Sequence, residues 1–146
     1  MAAFNKKPST VTGGKTIINE NPIISKIFGL STSIKPEKGP DLIGHPGSPG
    51  QVEGIAKVIV DINQLHEVQE RCILVVPSLN PAWTAIVPLI NGLVTDFGGT
   101  LSHAAIVCRE YGIPAVVGTL NATKLIKDGQ IIKLDGNRGY VWFQKR

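Results

Sequence analysis

In the stretch GGTLSHAAIVCREYGIP, residues 98–114, two glycines, two hydroxyl residues and a histidine stand directly before an apolar helical pattern. A helix beginning at Thr100 or Ser102 would be capped by either hydroxyl. His103 then falls in the first turn, where backbone N–H groups lack intrahelical partners. Those donors and the helix dipole attract an anion. Gly98 and Gly99 carry no side chain to hold a phosphate away from the backbone. The positive end of a helix also favours neutral imidazole over imidazolium, and neutral imidazole is a nucleophile. The pattern therefore suits a histidine that bonds to phosphorus while neighbouring donors hold the phosphoryl oxygens.

From spacing alone, a solvated or structurally satisfied histidine fits as well. Glu110 shares the His103 face but lies seven residues on, about 10 Å along a helix axis, so it cannot orient the ring. Asp96 and a loop carbonyl are the candidates for that task. Arg109 projects away from His103 and is expected in a structural ion pair, with Glu110 or another acid. His45 lies in a turn and His66 in a short polar helix. Three histidines and two cysteines so scattered have no metal-ligand spacing, and no metal is expected on this chain.

These residues need elements to position them. QVEGIAKVIV, after a turn at Gly47 to Gly50, alternates as a half-buried strand. Asp61 can cap a short helix over INQLHEVQ, and CILVV is short enough for a buried strand. Asn80 followed by Pro81 suits a helix start, and Pro88 should end or kink that helix. GLVTD and PAVVG read as further buried strands on either side of the His103 helix. Asn121 can cap ATKLIKDG, while QIIKLD and GYVWF form a hairpin turned by GNRG. Trp83 and Trp142 fall within apolar patterns and read as core. Short apolar strands alternating with short helices indicate an α/β domain around a largely buried sheet.

The whole chain sets wider limits. Its 146 residues, 42% hydrophobic, suffice for one sizeable core. The net charge of +4 is dispersed, with few aromatics interleaved, and reads as solubility rather than a nucleic-acid surface. Cys72 and Cys108 sit in apolar runs and are expected as buried free thiols in a reducing compartment. No run approaches the roughly 18 apolar residues that span a bilayer, and the amino terminus lacks a signal-peptide core, so a cytoplasmic location is expected. Residues 1–40, rich in Pro, Gly and Lys around the patch PIISKIFGL, read as a linker or hinge, and residues 41–146 as the packed domain.

The GGTLSHAAIVCREYGIPAVVG stretch resembles the phosphohistidine signature of the phosphoenolpyruvate-utilising enzymes, the family of phosphoenolpyruvate synthase, pyruvate phosphate dikinase and rifampicin phosphotransferase. GSPGQVEGIAKV, NPAWTAIVPLINGLVTDFGG and IKDGQIIKLDGNRGYV extend the resemblance in order and spacing over roughly residues 41–143. Two positions depart from the usual pattern. Leu101 stands where several members have threonine, and Cys108 stands where alanine is usual.

The resemblance implies a swivelling β/β/α domain with a buried mixed sheet flanked by short helices, and it makes His103 the phosphorylated residue. Ser102 and Thr100 would assist, and Gly98 and Gly99 would cradle the phosphoryl group. It also implies a carrier that receives a phosphoryl or pyrophosphoryl group from an ATP-binding, ATP-grasp-like domain and delivers it to an acceptor-binding domain, in cis or in trans. ATP and Mg2+ would belong to that partner domain, since this chain has neither a glycine-rich nucleotide loop nor an acidic array. The alternative is a non-catalytic docking or sensing module that keeps the swivelling fold.

Overall fold

A computed structural model describes residues 39–143. The eight strands are β1 (Leu42–Ile43), β2 (His45–Ser48), β3 (Gln51–Val58), β4 (Ile73–Val76), β5 (Gly92–Thr95), β6 (Ala115–Val117), β7 (Ile131–Asp135) and β8 (Tyr140–Phe143). Two α-helices, α1 (His103–Tyr111) and α2 (Ala122–Leu125), and two 3-10 helices, Ile62–Glu67 and Pro81–Leu89, connect them. The strands form one mixed sheet in the order β1-β8-β7-β3-β4-β5-β6-β2. The fold is thus α/β with a mixed sheet and short helices, as the sequence led us to expect.

β3 joins two halves of this sheet. Its first residues pair antiparallel with β7, from Gln51 opposite Asp135 to Ile55 opposite Ile131. Its last residues pair parallel with β4, from Ala56 opposite Ile73 to Val58 opposite Val75. β4, β5 and β6 continue in parallel, and their runs ILVV, GLVT and AVV are buried throughout, as strands covered on both faces must be. Alternate side chains enter two cores. Leu74, Val76, Leu93, Ala115 and Val117 face the helices with Trp83, Val87, Ala104 and Cys108. Ile73, Val75, Val94 and Val116 face the antiparallel half with Val52, Ile132, Leu134 and Val141.

β1 and β2 occupy opposite ends of the strand order yet are separated in sequence by Gly44 alone, so the sheet curls until it is nearly closed. Glycine is required at that junction. A Cβ on residue 44 would lie 2.4 Å from the Val117 carbonyl oxygen, and the Gly44 N–H donates to Gly139 O at 2.7 Å.

Several local readings need correction. Gly47 lies inside β2, which shifts register between Pro46 and Ser48, and is not part of a Gly47–Gly50 turn. The segments after Asp61 and Asn80 are 3-10 helices. Both caps form, Asp61 accepting from Asn63 N–H at 3.0 Å and Asn80 from Ala82 N–H at 2.9 Å. Pro88 withholds the N–H that an α-helical bond to Thr84 would need, and the second segment ends one residue later. Asn121 precedes α2 but its side chain makes no cap bond. The β7–β8 hairpin forms, and Asp135 Oδ1 accepts from Asn137 N–H at 2.9 Å in its turn. The linker expected at 1–40 falls, except for residues 39 and 40, outside the described residues. Among the described residues, no helix is long and apolar enough to cross a membrane.

Candidate functional site

Three loops meet at the carboxyl ends of the parallel strands β4, β5 and β6. The loop after β5 ends in α1, whose first residue is His103. Ser102, rather than Thr100, is its cap. With φ −69° and ψ 160°, the Ser102 Oγ accepts from Ala105 N–H at 3.4 Å and donates to Gly99 O at 2.7 Å. One hydroxyl therefore ties the helix start to the glycine loop. α1 buries Ala104, Ala105, Val107 and Cys108 and ends at Gly112 in the left-handed conformation. That anchored face leaves His103 and Thr100 exposed at the opposite end.

Gly98 adopts φ +113°, a conformation L side chains rarely adopt, and a Cβ there would approach the Ser102 side chain to 3.1 Å. A Cβ at Gly99 would meet nothing within 4 Å, so at that position glycine leaves open space beside the helix start. The loop is pressed from beneath by Gly118, after β6. At φ +70° a Cβ on residue 118 would stand 2.6 Å from Gly98 O and 2.7 Å from His45 Cδ2. His45 thus lies on β2 against the same junction.

The partner of the His103 ring is Thr84. Its Oγ1 lies 3.0 Å from His103 Nε2. Thr84 belongs to the 3-10 helix after β4, and the preceding Trp83, 4% exposed, anchors that helix in the core between helices and sheet. Sequence reasoning missed Thr84. It is 19 residues from His103, and only the parallel pairing of β4 with β5 brings the two loops together.

Asp96 does not orient the imidazole. The carboxylate is buried and directed to the start of α2, where Oδ1 accepts from Thr123 N–H at 2.9 Å and Oδ2 from Thr123 Oγ1 at 2.5 Å. It thereby takes the role expected of Asn121. Arg109 forms no ion pair with Glu110. Its Nη1 donates to Gly47 O at 2.7 Å, fixing α1 to β2.

The cysteines are free and buried. Burial pushes the Cys108 thiol up to about 12 and raises Cys72 as well, so both are core packing. Among the described residues, no three metal-ligating side chains converge. The loops 77–84, 96–103 and 118–121 contain two ionisable residues, the buried Asp96 and His103 itself.

The stretch that carries these residues has relatives among known proteins. Residues 68–139 match the family described as PEP-utilising enzyme, mobile domain. This stretch is a PEP-utilising enzyme mobile domain. Rifampicin phosphotransferase of Bacillus cereus is 48% identical over 100 residues, covering 68% of this chain and 11% of that protein. A probable phosphoenolpyruvate synthase of Methanothermobacter thermautotrophicus is 44% identical over 99 residues, covering 68% of this chain and 14% of that protein. The chain thus spans about a tenth to a seventh of the length of these relatives. Aconitase X of Thermococcus kodakaraensis shares the fold alone, at 17% identity and a TM-score of 0.53 over 73% of this chain and all of that one. These two relatives are named as a phosphotransferase and a probable phosphoenolpyruvate synthase, and most of their length lies beyond the region matched here.

Proposed function

We propose that this mobile domain is a phosphohistidine carrier. His103 takes a phosphoryl or pyrophosphoryl group from ATP bound with Mg2+ on an ATP-grasp-like domain and gives it to an acceptor bound on another domain, in cis or in trans. Thr84 donates its hydroxyl hydrogen to Nε2, which keeps the ring proton on Nδ1 and leaves Nε2 unprotonated. As the donor arrives, the hydroxyl turns from the ring to a phosphoryl oxygen. The Nε2 lone pair forms the N–P bond, the P–O bond to the nucleotide breaks, and the nucleotide leaves with those electrons. The Nδ1 proton is then released to solvent. The N–H groups of the first turn of α1 that the Ser102 cap does not take, and the open space at Gly99, are suited to the phosphoryl oxygens.

The observation that carries this reading is the 3.0 Å contact between Thr84 Oγ1 and His103 Nε2 at the start of α1. It fixes an exposed imidazole at the amino-terminal end of α1, where backbone donors favour an anion. Tethered to its partners, such a carrier meets each site at an effective concentration on the order of millimolar.

Onward transfer tests the reading. Chain labelled by the ATP-binding domain is purified away from ATP and offered to the acceptor domain with its substrate. Loss of label from the chain, matched by its gain on the acceptor, is the expected result. Label that stays on the chain beside an active acceptor domain contradicts delivery, and a chain that takes no label from an active donor domain counts for a docking module instead.

A further inference from the structure

Three large apolar side chains stand out into solvent in the loops that hold His103. Phe97 is 57% exposed, Leu101 83% and Leu120 64%. Phe97 and Leu120 are tied down through their backbones. The Phe97 N–H donates to Pro77 O at 2.9 Å, and its carbonyl accepts from Thr95 Oγ1 at 2.8 Å. The Leu120 N–H donates to Asp96 O at 2.8 Å, one peptide unit from Phe97. Leu101 lies two residues before His103.

Leu120 has φ +75°, a backbone conformation that disfavours a side chain and suits glycine. It is held there from both sides. Thr119 N–H and Oγ1 both bond Thr95 O, at 3.1 and 2.9 Å, and the Asp96 carboxylate is locked on Thr123. A strained leucine whose side chain gains little burial within its own chain marks a place where another surface supplies the contact.

The charge of the same face says what that surface contains. The three loops around His103 hold no lysine or arginine, and their one acid is buried. Within these loops, His103 apart, a phosphoryl group meets neutral donors only. The cations that stabilise its transfer must come from the other side of the contact.

Resting on the phosphocarrier reading, we propose that Phe97, Leu101 and Leu120 form an apolar collar around His103 that seats on a phosphate-transfer domain with an apolar rim and a cationic floor. The collar excludes water from the phosphoryl group while the floor supplies its charge. Relatives such as rifampicin phosphotransferase, of which this domain covers 11%, have ample chain to hold such a partner.

The test compares Leu101→Glu and Leu120→Gly with the full wild-type chain, using two phosphoryl donors. One is phosphoramidate, a small donor with no docking face. The other is an ATP-grasp-like donor domain, at limiting concentration with ATP and Mg2+. Label on His103 is measured by mass spectrometry. Phosphoramidate is expected to label both variants within about twofold of wild type, while the domain labels them at least about tenfold more slowly. Leu120→Gly also melts no lower than wild type, since glycine is at ease at φ +75°. Wild-type rates from the domain in both variants would overturn the collar. A wild-type chain that receives nothing on His103 from a domain shown to consume ATP overturns the carrier reading itself, and the collar with it.

Discussion

Thr84 Oγ1 and His103 Nε2 lie 3.0 Å apart across two loops that only the parallel register of β4 and β5 brings together. The hydroxyl is the ring's hydrogen-bonding partner, and removing it frees the ring to rotate. Thr84→Val keeps the shape of the side chain and loses the hydroxyl. We expect phosphoryl acceptance about tenfold slower, the size of one net hydrogen bond. The melting temperature should not change, and Thr84→Ser should restore the rate. Quench-flow labelling of the three proteins checks this, and a Val variant as fast as wild type would remove Thr84 from the account.

Ser102 joins helix and loop through one oxygen. Ser102→Ala removes the cap of α1 and the bond to Gly99 O, and is expected to destabilise the domain by about 1 kcal/mol. A urea titration reads this as a lower midpoint at unchanged slope. Ser102→Asp keeps a cap acceptor but adds negative charge where the anion is to sit. It should retain stability and lose acceptance.

Gly118 supports the site through what it lacks. In Gly118→Ala the new Cβ would press on Gly98 O, 2.6 Å away, at a φ of +70° that L residues rarely adopt. The expected loss is at least about 1 kcal/mol. Hydrogen exchange should show the glycine loop before α1 opening more readily than in wild type.

On the antiparallel half, Glu53 stands opposite Lys133 in the β3–β7 register, with Oε2 buried and without a hydrogen-bond partner. Burial raises its carboxyl above the ordinary range, and the nearby Lys133 charge offsets part of that. A carboxyl raised in the folded state lends stability below its unfolded value, and that stability is lost as pH rises through the folded value. Glu53→Gln should therefore melt higher than wild type at pH 7. The difference should vanish as pH falls below the unfolded value, which thermal melts across that range will show.

Much of this domain is legible in the sequence because local chemistry and packing agree. The runs ILVV and GLVT read as buried strands since both faces are covered, and a hydroxyl at Thr100 or Ser102 before an apolar helix reads as a cap. The misses share a cause. Thr84, Asp96 and Arg109 act on residues 19, 27 and 62 positions away, and no periodicity carries that distance. Asp96 looked available to His103 because its loop leads there, yet the crossing of β6 into α2 brings Thr123 to its carboxylate. Gly47 read as a turn because glycine and proline surround it, whereas closure of the sheet draws that segment into β2. His103 was visible from its neighbours. Its hydroxyl partner required the fold.

Phosphorus NMR tests the central claim most directly. The full chain is mixed with an ATP-grasp-like donor domain, ATP and Mg2+, beside a His103→Ala chain treated identically. The account predicts a phosphorus–nitrogen resonance that survives base, disappears in acid and is absent from the variant. An equal resonance in the His103→Ala chain, or none in wild type beside a donor domain proven active, would contradict it.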